Sequence, residues 1–143
     1  MVIDISDTET IINPINVRSL VASAIAINER SIVDLNRQQL YAGNTANENE
    51  IKPKYKPFTI QIKQEKGQPF DRVTLNDTGD FYNSIFLNPF GSEFEFDATD
   101  IKKADLEEKY GSDILGITPG DLDDAAEIIK DTLIELFTYE LRK

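Results

Sequence analysis

Asp77, Thr78 and Gly79 occur together once in the chain, and Asp-Thr-Gly is a tripeptide that can do chemistry. In aspartic proteases two such loops meet, and their carboxylates share one proton so that one side acts as acid and the other as base. One copy supplies half of that pair, so the chain would have to dimerise to complete it. Ile114-Leu115-Gly116 could serve as the later hydrophobic-glycine element of such an enzyme. Two features argue the other way. Asp80 stands beside the motif, where that chemistry needs a small residue. The surrounding residues also read as a helix entry. The Thr78 hydroxyl can accept an amide two or three residues on. Asp77 and Asp80 sit at the positive end of the turn, and Gly79 permits a tight backbone bend.

Composition excludes the His- and Cys-dependent chemistries. The chain has no His and no Cys. Ser-His-Asp and Cys-His mechanisms, thiolate metal sites and disulfides are therefore excluded within one chain. Asp97, Asp100 and Asp105 lack the spacing of a calcium loop and read as a solvated helix start. Gly111, Gly116 and Gly120 lack the Gly-Lys-Thr/Ser of a phosphate loop and read as helix stops. No catalytic, cofactor or metal residue is assigned. Lys52, Lys54 and Lys56, with Tyr55 among them, form the only basic run. It could touch an acidic neighbour or DNA, or it could blunt a sheet edge with Lys and Pro. Twenty-six acids against fifteen bases give a net charge of −11. That disfavours a grip on phosphate backbone, yet permits a channel that DNA passes without being held. An acidic surface can also mimic nucleic acid, which suits a host-directed interaction protein, although these acids are spread through loops and helix starts. No apolar run approaches a membrane span. Residues 1–10 carry no signal-peptide pattern, and an intracellular origin is the default expectation.

The elements that must position these residues follow from local signals. A chain of 143 residues suits one domain: an arm over residues 1–12, with a strand-like Val2-Ile3-Asp4-Ile5, and a body over 13–143. Asn13-Pro14 opens a helix whose apolar stripe runs through Val17, Val21, Ala24, Ile25, Ile32 and Leu35, ending near Gly43. Pro53 and Pro57 keep the next segment extended. Phe58-Thr59-Ile60-Gln61-Ile62-Lys63 alternates as a half-buried strand does, and Arg72 to Leu75 is β-like. Ile85-Phe86-Leu87 and Phe94-Glu95-Phe96 predict a hairpin turning across Asn88-Pro89-Phe90-Gly91. A short helix is expected over 98–110, capped by Thr99 and stopped by Gly111. Thr118-Pro119 opens the last helix, with Leu122, Ala125, Ile129, Leu133 and Phe137 facing the core. Ile128 and Ile134 widen that stripe towards a subunit contact or deeper burial. The order predicts an α+β fold: a small antiparallel sheet packed by a long N-terminal and a long C-terminal helix.

The stretch from Leu75 to Ile85, with its Asp77-Thr78-Gly79, resembles the Leu-x-Asp-Thr-Gly-x-Leu-x-x-Ser-Ile segment of tailed-phage head–tail connector and tail-completion proteins. Phe81 and Tyr82 stand where that group carries small or aliphatic residues. The run from Asp113 through Leu115-Gly116 to Leu122 is similar to the segment preceding that group's C-terminal helix. Tyr41-Ala42-Gly43, the Ile51 to Tyr55 run and Lys102 to Gly111 look like neck proteins of phages of Bacteroides-type hosts, including the crAss-like group. The resemblance implies a virion protein made in the host cytoplasm. It implies no catalysis, a ring of six or twelve copies below the portal, and contacts to portal and other neck or tail proteins. Ring contacts are expected at Val2, Ile3 and Ile5 of the arm, at Lys52, Lys54, Tyr55 and Lys56, and at Phe90 on the hairpin tip, an aromatic that is costly to leave in water.

Overall fold

The computed structural model describes residues 2–4, 14–90 and 93–142. Its elements are β1 (Val2–Asp4), α1 (Pro14–Tyr41), α2 (Pro57–Glu65), α3 (Asp80–Ser84), β2 (Ile85–Phe90), β3 (Glu93–Ala98), α4 (Lys103–Tyr110) and α5 (Pro119–Leu141), with a 3-10 turn at Ser112–Ile114 before α5. The fold is α+β. An antiparallel sheet ordered β1-β3-β2 packs with the two long helices.

The sheet and the long helices are built from alternation and stripe. In β3, Phe94, Phe96 and Ala98 are buried while Glu93, Glu95 and Asp97 are half-exposed, as period-2 geometry requires. Val17, Val21, Ala24, Ile25, Ile32, Val33 and Leu40 of α1 meet Ala125, Ile129 and Leu133 of α5 in the same core. Where α1 faces α5, Asn28 Nδ2 donates to Thr132 Oγ1 at 2.8 Å. The Glu29 carboxylate accepts the Leu87 amide of β2 at 3.1 Å, which satisfies a donor on an edge strand that would otherwise invite another chain. Thr118 caps α5 by accepting the Asp121 amide at 3.3 Å, and Pro119 occupies its first turn.

Several expectations are corrected. Pro57–Glu65 is a helix, because Pro57 sets the first turn and the segment has no strand beside it. The Lys52 to Lys56 run belongs to no sheet, so its lysines do not blunt an edge. Residues 72–75 are irregular, and Leu75 takes a left-handed φ of 57° that ends any extended run. β2 continues through Phe90, and Pro89 is tolerated there because β2 is an edge strand. α4 begins at Lys103, so Thr99 does not cap it, whereas Gly111 does stop it at a φ of 99°. Asn13, Ile5 and Gly91 lie outside the described residues. Val2 and Ile3 lie in β1, which pairs with the chain's own β3 opposite Glu95 and Phe94.

Candidate functional site at Asp77-Thr78-Gly79

The motif is held from three sides. Arg72 starts the approach: its Nε donates to the Tyr41 carbonyl at 2.6 Å and its guanidinium lies over the Tyr41 ring, a cation placed at the C-terminal end of α1. Thr74, almost fully buried, is then gripped by two tyrosines. Its amide donates to Tyr55 Oη at 3.1 Å, and Tyr82 Oη donates to its carbonyl at 2.6 Å. Burial pushes the Tyr82 hydroxyl well above its ordinary pKa, so it stays a donor. Beneath the motif, α2 contributes Lys63. Only 7% exposed, it lies over the Tyr55 ring and donates to the Asn76 carbonyl at 3.2 Å and to Gln68 Oε1 at 3.5 Å. The Gln68 amide donates onward to the Asp77 carbonyl at 2.8 Å.

Within this frame each residue of the motif has a structural task. Gly79, at a φ of 89°, occupies the cap position of α3. The Thr78 hydroxyl accepts the Asp80 amide at 3.3 Å. Asp77 is paired with Lys66 at 2.9 Å, and both side chains are about half-exposed. The Lys66 hydrogen bond, with the charges of Lys66, Lys63 and Lys102, holds the Asp77 carboxyl below the usual carboxylate range. The motif borders an open cavity of about 400 Å³ with apolar walls from Ile62, Leu75, Phe81 and Leu106 and with Lys63 and Lys102 on its lining.

The second motif is held separately, by side chains in the last two turns of α1. Leu115 and Gly116 are buried, and two polar side chains of α1 hold their backbone. Asn36, fully buried, donates through Nδ2 to the Ile114 carbonyl at 3.0 Å and accepts the Gly116 amide on Oδ1 at 3.2 Å. Gln39 Nε2 donates to the Gly116 carbonyl at 3.2 Å. Asp77 and Leu115 are thus not brought into one site.

The remaining candidates are scattered over the surface. Lys52, Lys54 and Lys56 are exposed, Tyr55 faces inward, and Phe90 is 43% exposed opposite Glu93. Asp97 pairs with Lys103, and no metal-binding cluster of acids occurs among the described residues. Lys63, Lys66, Gln68, Asn36 and Gln39 were not legible as partners. The signal for the last two was present: a polar pair three apart on the buried stripe of α1. Lys63 and Lys66 converge only because Pro57–Glu65 is a helix. Comparisons with protein-family models, curated proteins and solved structures found no match.

Proposed function

We propose that this chain is a non-enzymatic structural protein of a tailed-phage neck, a head–tail connector or tail-completion subunit that assembles into a ring below the portal. One observation carries the reading. Both motifs through which the sequence resembles that group act as scaffolding here. Asp77-Thr78-Gly79 turns the chain into α3 and β2, and Leu115-Gly116 is fastened to α1 ahead of α5. The Asp77–Lys66 pair supports the same reading, since it gives the Asp77 carboxylate a partner on the turn itself. In this proposal copies contact one another through β1, the Lys52 to Lys56 run and Phe90. DNA passes the lumen without a specific grip, given the net charge of −11. Among the described residues no helix is long and apolar enough to cross a membrane.

The test is co-assembly. The purified chain mixed with purified portal should give particles with six or twelve copies by mass photometry and a matching symmetry in electron micrographs. One copy per assembled particle would sink the proposal. In parallel, wild type and Asp77→Asn should both leave peptide substrates uncut at acidic pH; cleavage by wild type that vanishes in the variant would replace this reading with a dimeric protease.

A further inference from the structure

Charge is unevenly placed along this acidic chain. Residues 52–72 carry six bases and two acids, whereas α5 carries seven acids and one lysine. Each of the two surfaces also exposes large apolar side chains. On the basic side Phe58 is 73% exposed at the start of α2, and Phe70 lies in a second cavity together with Lys54 and Arg72. On α5, Ala125, Ile129 and Leu133 face the core, so Asp124, Glu127, Asp131 and Glu135 fall on the outward side by the 100° step of a helix. Ile134 stands among them, 61% exposed. No ion pair engages Lys56, Glu127, Asp131 or Glu135 among the described residues, and Lys54 reaches only the exposed Glu50 at 3.7 Å.

The two patterns match in pitch as well as in sign. Lys54 and Lys56 flank the inward-facing Tyr55, and two residues of extended chain span about 6.6 Å. Successive acids on the α5 face are four residues apart at Glu127, Asp131 and Glu135, which is about 6 Å along a helix. A basic ladder with an aromatic beside it thus fits an acidic ladder with an isoleucine beside it.

Resting on the ring reading above, we propose that the Lys54-Lys56-Phe58 surface of one copy docks on the Glu127-Asp131-Ile134 face of α5 in the next copy. The two patches differ, so the contact is head-to-tail and repeats, closing into a ring or running on as a filament. Such a contact lets a chain of this net charge associate in principle, because the local attraction acts within a screening length while the overall repulsion is damped by salt.

The test is a charge swap followed by sedimentation velocity. The wild-type chain should associate with rising concentration. The association should weaken about tenfold as salt rises from about 0.05 to about 0.5 M, where the screening length falls from about 14 to about 4 Å. Lys54→Glu/Lys56→Glu and Glu127→Lys/Asp131→Lys should each be monomeric alone and should associate when mixed. The chain carrying all four changes should associate again. Thermal melts matching wild type exclude misfolding, since all four side chains are exposed. A wild-type chain that stays monomeric, or reversals that leave association untouched, overturns this docking. Portal co-assembly that survives the reversals would refute the docking alone and leave the neck reading standing, whereas absence of any co-assembly would remove that reading too.

Discussion

Replacing Asn36 by Ala should be the most damaging single polar change in this protein. The Asn36 amide is fully buried and satisfies two backbone groups at once, the Ile114 carbonyl and the Gly116 amide. Alanine removes both bonds and leaves both groups buried. Each orphaned group costs about 1–3 kcal/mol, so the expected loss is about 2–6 kcal/mol before any small cavity is counted. At about 2.1 cal/mol/K of unfolding entropy per residue, a chain of this length loses about 3 °C in Tm per kcal/mol. The melting temperature should therefore fall by about 7–20 °C. Urea unfolding followed by circular dichroism gives the free energy directly, and the slope with denaturant should not change. Asn36→Asp should be at least as damaging, because it keeps the acceptor for Gly116 but sets a carboxylate against the Ile114 carbonyl. A loss under about 0.5 kcal/mol for Asn36→Ala would mean that Asn36 does not fasten the Leu115-Gly116 segment, and the scaffolding role assigned to that motif would go with it.

The remaining expectations concern the same two motifs and one ion pair. Gln39→Met should cost clearly less than Asn36→Ala, by urea unfolding, because Gln39 Oε1 is buried without a partner among the described residues and its removal offsets the lost bond to Gly116. Gly79→Ala should cost about 1–2 kcal/mol from its left-handed φ alone, since an added Cβ meets nothing closer than 3.8 Å; no loss in a thermal melt would contradict the described turn. Asp97 and Lys103 lie 2.6 Å apart, and their hydrogen bond lowers the Asp97 pKa and raises that of Lys103. A depressed carboxyl pKa gives stability that is present above about pH 3.9 and lost as pH falls through the folded value, while the raised lysine keeps its share below about pH 10.4 and loses it above. Asp97→Asn should thus cost about 0.5–1 kcal/mol near pH 7 and progressively less as pH falls through the folded Asp97 value; a difference undiminished in strong acid would place the effect elsewhere.

The long helices were legible because their signals are local. Pro14, Gly43 and Thr118-Pro119 punctuate the chain wherever it lies, and the stripe Val17-Val21-Ala24-Ile25 and its counterpart Ala125-Ile129-Leu133 repeat at the period of a helix. β3 was legible for the same reason, through strict alternation of Phe94 and Phe96 with acids. The segment from Phe58 to Lys63 alternates just as well and yet is helical. Alternation makes a strand only if the fold lays it along another strand's edge, and the described sheet consists of β1 and β2 on either side of β3 with this segment packed away from it. Residues 72–75 lack such an edge too, and two tyrosines and Arg72 hold them instead. The entry into α3 at Asp77-Thr78-Gly79 could be read from the residues. That Asp77 pairs with Lys66, and that Asn36 fastens Gly116 from eighty positions away, could not. Propensity and period are properties of a segment; the partner that satisfies a charge or a buried amide belongs to another part of the chain, and only the packed fold decides which one arrives.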